Sequence, residues 1–398
     1  MAFETAISGL NAAQTQLNVL GNNIANAGTT GFKGSTAQFQ DVLANIYQQG
    51  GGGGVATAKV AQSFTQGDVT TTGNPMDMAI NGQGFFVVNN GGTQMYTRDG
   101  AFGLNQNGDI VNSSGEELVG FSTDGSGHLT GATGPIQVSA ANSAPFATTT
   151  VALGANLNSA ATPPATSPFN PADSTSYNNT TSETIYDSLG GSHQMQCYFT
   201  NTGAGTWNMD TYVDGTSVGT TALAFNASGT LTTPVGGVVP PLAFTPAGGG
   251  AAMSVTVNLA QTTQYGNSFA VNSINQNGYT TGTLSGVTID AKGNVNATYT
   301  NGQAVVQGQV ALANFTNPQG LTNVGNNNWA STTSSGSPVI GAAGSGSIGT
   351  LQSGALEASN VDVSSELVQL IVAQRNFQAS SQAIKTEDAV IQSIMQIG

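Results

Sequence analysis

Two stretches, one at each end of the chain, carry apolar residues seven positions apart. From the first of them run Phe3, Leu10, Leu17 and Ile24, with Ala6, Ala13, Leu20 and Ala27 three residues behind. This is an a/d seam over nearly four heptads, with one rail mostly of small residues. It predicts a helix stopped by Gly28 and the Thr29-Thr30-Gly31 run. Near the other end Val363, Leu370, Phe377, Ile384 and Ile391 repeat the spacing, supported by Leu367, Ala373 and Ile394. Asp362 or Ser364 can cap that helix, which at 1.5 Å per residue spans about 45 Å. Glu366, Ser380 and Glu387 fall where a strict coiled coil wants apolar groups. The alternative is therefore two amphipathic helices packed on a globular core. The sharp repeat at both extremes favours the coiled coil.

Between the ends the period drops to two and Asx-Gly pairs recur: Asn81-Gly82, Asp99-Gly100, Asn107-Gly108, Asp124-Gly125, Asp214-Gly215, Asn277-Gly278 and Asn301-Gly302. These are hairpin signals, and apolar runs such as 84–88 and 304–310 between them read as strands. The middle is expected to be mainly antiparallel β. Gly50 to Gly54 reads as a flexible joint after the N-terminal helical region. Pro163-Pro164 and the Ser/Pro/Asn-rich stretch to Asn179 mark entry into an insert that ends near 261–265. A Gly/Ser-rich stretch from Ser331 to Gly349 leads back to the last helix. The fold class is mainly β with α-helical termini, in a nested arrangement. Residues 1–65 with 355–398 form a terminal helical piece and joint, 66–152 with 264–354 a first β domain, and 153–263 an inserted β domain. Nesting brings the two terminal helices side by side.

Only 7% of the 398 residues are charged, against about 25% in an average protein, and the formal net charge is −14. Six basic residues, Lys33, Lys59, Arg98, Lys292, Arg375 and Lys385, are too scattered along the chain for a phosphate-binding patch, which argues against a nucleic-acid partner. Low charge lets like surfaces approach and favours self-association. Cys197 is the only cysteine, so no intrachain disulfide can form. No cleavable signal peptide and no membrane span are visible.

Candidate chemistry is sparse. His128 and His193 are isolated in sequence from Cys and from carboxylate pairs, metal-ligand spacings are absent, and no nucleophile elbow occurs. Gly344 to Gly349 satisfies G-x-G-x-x-G, but no helix start follows it, as a dinucleotide site requires. The glycines at 50–54 lack a following Lys-Ser or Lys-Thr. No enzyme activity, cofactor or metal is expected. A β-rich adhesin would need exposed aromatic clusters, whereas Trp207 and Trp329 stand alone in the sequence.

Three motifs carry a resemblance. Ser8 to Ala13, then Gly21-Asn22-Asn23-Ile24-Ala25-Asn26 and Thr30-Gly31-Phe32-Lys33, resemble the N-terminal signature of the flagellar rod and hook axial proteins. Gly73-Asn74-Pro75-Met76-Asp77 with 79–86 is similar to an internal motif of the same family. Gly354 to Asp362, including Asn360, and Val372-Ala373-Gln374-Arg375-Asn376-Phe377 are similar to its C-terminal motif. The start at Met1-Ala2-Phe3, Gly34-Ser35 after Phe32-Lys33, and the large insert resemble the hook branch rather than the distal rod branch. The resemblance implies a structural subunit that assembles with copies of itself into a flexible helical tube, a universal joint between rod and filament. The terminal helices would line its channel, with Phe3, Leu10, Leu17, Leu20, Ile24, Val363, Leu370, Phe377, Ile384 and Ile391 as the assembly interface. Its implied partners are the distal rod protein, the hook cap, the hook–filament junction proteins and the flagellar type III export apparatus. Neither nucleic acid nor membrane is implied. The implied location is the extracellular hook, reached without a cleaved signal. Phe39 with Leu43 matches the family's export element, the alternative being a helical turn with Ile46 and Tyr47.

Overall fold

A computed structural model describes residues 2–42, 53–124 and 127–397 of the chain. The heptad stretches are its two long helices, α1 (Ala2–Ala25) and α2 (Val363–Ile397), and they pack side by side. Helix α1 stops three residues before Gly28. The Asn26 side chain turns back to donate to the Asn22 carbonyl (2.9 Å), beside the last helical bond from Asn26 N, and Gly31 then takes φ +67°. At α2, Asp362 is the cap: its Oδ1 accepts from Ser364 N at 2.9 Å. No described helix is long and apolar enough to cross a membrane.

After α1 the chain forms an antiparallel hairpin, β1 (Ser35–Asp41) with β2 (Val55–Gln62). It runs back along α1: Asn23 bonds to Ser35 at one end, and Ser8 Oγ accepts from Val55 N at the other. The expected joint at 50–54 is corrected here. Residues 50–52 lie outside the described ones, but Gly53 N donates to Val42 O and Val42 N to Gly54 O, so Gly53 and Gly54 extend the hairpin ladder instead of joining two domains. Phe39 is half-exposed in β1 beside a register shift, which overturns the helical-turn reading at that position. Leu43, Ile46 and Tyr47 lie outside the described residues.

The chain divides into two compact units. Met1–Ser139, Gly286–Thr298 and Ala304–Gly398 form the first. Its largest sheet is built around Ala304–Asn314, which pairs with Phe85–Asn90, Glu117–Thr123, Asn294–Tyr299 and Val339–Ala342. Phe85, Tyr96, Phe315 and Trp329 anchor a core in which Phe64 and Phe85 meet Trp329 edge-on, so Trp329 does not stand alone. The Gly/Ser-rich stretch from 331 that leads back to the last helix carries a strand on the way: Val339–Ala342 is in the sheet, and after it Thr350–Ser353 and Ala355–Glu357 pair with Met78–Asn81 and Val69–Thr71.

Ala140–Ser285 and Tyr299–Gln303 form the second unit, a wider segment than the composition boundaries 153 and 263. The reason is Thr150–Asn158. It spans the expected boundary, pairs antiparallel with Ala270–Gln276, and pairs parallel with Met253–Asn258 and Thr263–Tyr265, a crossover no turn signal announces. A five-stranded meander from Asn179 to Thr233 supplies the facing layer. Both contribute to a core holding Leu153, Val257, Phe199 and Trp207. Cys197 lies in that core, and burial pushes its thiol up to about 12.

Six connections share one five-residue turn: Asn105–Asp109, Asn112–Glu116, Asp124–His128, Asp187–Gly191, Asn226–Thr230 and Asp290–Asn294. In each the leading Asx Oδ1 accepts from the amide four residues on, and a fourth-position glycine takes φ between +76° and +84°. Asn107-Gly108 belongs to this class and not to two-residue turns. Asp124 accepts from His128 N in the same way, and Gly125 lies outside the described residues. Asp214-Gly215 is the two-residue turn foreseen, with φ of 48° and 76° between paired Val213 and Thr216. Asn81-Gly82, Asp99-Gly100 and Asn277-Gly278 close no hairpin. Asn277 instead caps Thr149 N and Thr150 N with its own Oδ1.

Candidate functional site

Helices α1 and α2 run antiparallel. Asn23 Nδ2 donates to Glu366 Oε1 (3.3 Å), and a Cβ on Gly9 would lie 3.1 Å from Ser380 Oγ. Contacts thus step back two heptads along α1 while stepping forward two along α2. The buried seam residues are, apart from Leu20, small or polar: Ala12, Ala13 and Asn23 on α1, and Ala373 on α2. Leu10, Leu17, Ile24, Leu370, Phe377 and Ile384 flank it half-buried. Glu366, Ser380 and Glu387 are also half-buried, so the imperfect rail is on the side that meets α1. Ala373 and Ser380 are small enough for close approach there, and Glu366 instead accepts from Asn23, so the rail is not a strict a/d one.

Phe3, Val363 and Ile391 are exposed. On this register about ten residues of α2, ~15 Å of helix, pass beyond the start of α1, and Val390, Ile391 and Met395 stand free. Leu367, Val368, Ile371 and Val372 form a second exposed apolar strip on α2. Thirteen of the twenty-three exposed large apolar residues among those described lie on α1, α2 or the hairpin arms to Val42. A surface this apolar on helices marks an interaction site.

The family-signature residues gather where the helix pair joins the β sheet of the first unit. Asn23, 1% exposed, accepts from Ser35 N (2.9 Å) and donates to Ser35 O (2.8 Å) as well as to Glu366. Asn360 Oδ1 accepts from Gly34 N (2.8 Å), and its amide donates to Ser63 O (2.8 Å). Gly31 N donates to Glu357 O, and a Cβ there would fall 2.4 Å from Asp99 N. Phe32 is buried. Asn74 Nδ2 donates to buried Asp77, with exposed Pro75 in the turn between them. Asn22, Gln374 and Arg375 are exposed.

At the centre of this junction is an ionic cluster. Glu357, fully buried, accepts from Lys33 Nζ (2.5 Å) and Gly67 N (2.9 Å) on Oε1, and from Arg98 Nη1 (3.0 Å) on Oε2. Arg98 Nη2 donates to Gly82 O, and its guanidinium lies over the Phe85 ring. Burial lowers the pKa of both cations, with Glu357 opposing the shift. Burial, then nearby Asp77, raises that of Asp99. Lys33 and Arg98, scattered in the sequence, thus meet on one carboxylate. The one available signal was that Lys33 and Glu357, in a chain with so few charges, both lie inside signature motifs.

His193 is corrected in the same way: it lies between Asp214 Oδ2 (Nδ1, 2.6 Å) and Asp187 Oδ2 (Nε2, 3.2 Å) in the second unit. Burial would lower its pKa, but the two carboxylates raise it overall. Four aromatic residues of that unit, Phe169, Tyr177, Tyr198 and Tyr212, pack on one another edge to face or tilted.

The comparisons with known proteins agree along the whole chain. Family models match as "Flagella basal body rod protein" over residues 3–33, "Flagellar hook protein FlgE/F/G D1 domain" over 79–156, "Flagellar basal body protein FlaE D2 domain" over 156–279 and "Flagellar basal body rod FlgEFG protein C-terminal" over 352–397. The flagellar hook proteins FlgE of Escherichia coli K12 and Salmonella typhimurium are each 42% identical, covering all of both chains. That of Rhizobium meliloti is 34% identical over 99% of this chain and 98% of its own. The crystal structure of Helicobacter pylori flagellar hook protein FlgE2 shares the fold at TM-score 0.51 and 14% identity, covering 71% of this chain and 99% of that one.

Proposed function

The chain belongs to the flagellar hook protein family and is a structural subunit of the hook, and on that premise we propose that its helical ends carry the contacts between copies. The concentration of exposed apolar residues on α1, α2 and the hairpin carries this reading. Buried in a helical tube, the free end of α2 and the Leu367–Val372 strip would give continuous apolar contact along the axis. The β units, with low charge and short polar side chains, would make exchangeable lateral contacts, as a universal joint needs. The family resemblance supports the distal rod protein, hook cap, junction proteins and type III export apparatus as partners. It also supports an extracellular hook location and a non-catalytic role. Phe39 with Leu43 is the proposed export element.

Electron microscopy of the purified chain tests the assembly reading: tubes from the parent chain, and none from Leu17→Asp or Phe377→Asp. A carboxylate forced unpaired into the seam costs several kcal/mol in every subunit. Normal tubes from both variants would overturn the reading.

A further inference from the structure

The apolar part of the α1–α2 seam is degenerate in register. The least exposed positions of α2 recur every seven residues, at 366, 373, 380 and 387, with 370, 377 and 384 between and 381 beside 380. On α1 the covered positions 6, 13 and 20 repeat the spacing, and so do 9, 16 and 23. Sliding one helix by a heptad re-presents the same pattern of small and apolar groups, and apolar contact alone discriminates weakly between such states. The groups that break the degeneracy lie at one end. Asn23 has both amide hydrogens and its carbonyl engaged, clamped to Ser35 and reaching Glu366. Six residues before Glu366, Asn360 is clamped to Gly34, Ser63 and Thr65. A slide of one heptad moves α2 by about 10 Å; it would take Glu366 away from buried Asn23 and strip half-buried Asn360 of Gly34, Ser63 and Thr65, a penalty an apolar seam does not impose.

We propose that Asn23, Asn360 and Glu366 are positioning residues that set the register of the helix pair, whereas the apolar seam supplies affinity without alignment. The inference builds on the helical ends as the assembly element, but its test reads the pair inside a single chain and is independent of tube formation.

An ideal Cβ at Gly9 lies 4.0 Å from Ser380 Cβ, within disulfide range. Full chains carrying Gly9→Cys with Ala373→Cys, Ser380→Cys or Glu387→Cys are oxidised, and links within one chain are quantified by mass spectrometry. Cys197, buried in the second unit, stays out of the reaction. In the otherwise parent sequence the 9–380 link should dominate. With Asn23→Leu and Asn360→Leu it should fall at least fivefold while the 9–373 or 9–387 link rises. Glu366→Leu alone should shift the pattern part-way, and Glu366→Gln, which keeps an acceptor for Asn23, should leave it unchanged. An undiminished 9–380 link in the double variant would overturn the proposal. So would comparable links at all three positions in the parent. Loss of every link with β-sheet circular dichroism intact would also overturn it, because the amides would then hold the pair together without aligning it.

Discussion

Replacing Glu357 by Gln preserves shape and removes one charge from a place where two cations depend on it. The carboxylate is fully buried and takes three hydrogen bonds, two of them from Lys33 and Arg98. In the variant one amide oxygen still serves Lys33 and Gly67, but the amide nitrogen confronts Arg98 donor to donor. Breaking a buried ion pair from one side costs about 3–5 kcal/mol, a large fraction of the roughly 5–15 kcal/mol that holds a domain folded. With a urea m-value of about 2 kcal/mol/M, the midpoint should fall by about 2 M. Trp329 fluorescence in a Trp207→Phe background reports the first unit alone. The pH dependence is a second signature. The folded-state pKa of Lys33 is already below its unfolded value and falls further without Glu357. The unfolded chain then binds more protons, so stability rises with pH towards the ordinary lysine range near ~10. The apolar triple Lys33→Met, Arg98→Met and Glu357→Leu should recover most of the loss. A deficit below about 1 kcal/mol in Glu357→Gln, or a triple variant no better than the single one, would refute the reasoning.

Gly31→Ala should cost at least about 2 kcal/mol, because φ is +67° and the new Cβ would meet Asp99 N at 2.4 Å; thermal melting measures it. His193→Gln should remove about 1 kcal/mol from the second unit. The His193 contribution is complete below its unfolded pKa near ~6.5 and fades as pH rises through its raised folded value. For Asp187 and Asp214 burial alone would raise the pKa, but hydrogen bonds led by His193 lower it, so their contribution fades as pH falls through the folded values. Melting against pH should show both limbs in the parent and flatten in the variant. A fragment 66–361 should be a folded, non-assembling β protein, whereas 66–350 should melt lower, since it lacks all but the first residue of Thr350–Ser353, all of Ala355–Glu357, and the counter-ion of Arg98. Calorimetry of the two distinguishes these outcomes.

Helices α1 and α2, the β character between them and the strands at 85–90 and 304–314 were legible because each repeats a local period, 3.5 or 2, that burial of one face imposes on consecutive residues. The turn at Asp214-Gly215 was legible because two positive φ values in a row demand that residue pair. What the sequence could not determine joins residues far apart in the chain. Lys33, Arg98 and Glu357 have no spacing in common, and only the folded sheet brings them within 3.0 Å. His193 looked isolated because Asp214 lies a hairpin away. The antiparallel register of the helices hangs on Asn23 and Asn360, whose partners Ser35, Ser63 and Thr65 belong to strands and loops. Periodicity records which face is buried; which residues meet across it depends on the path of the chain in three dimensions.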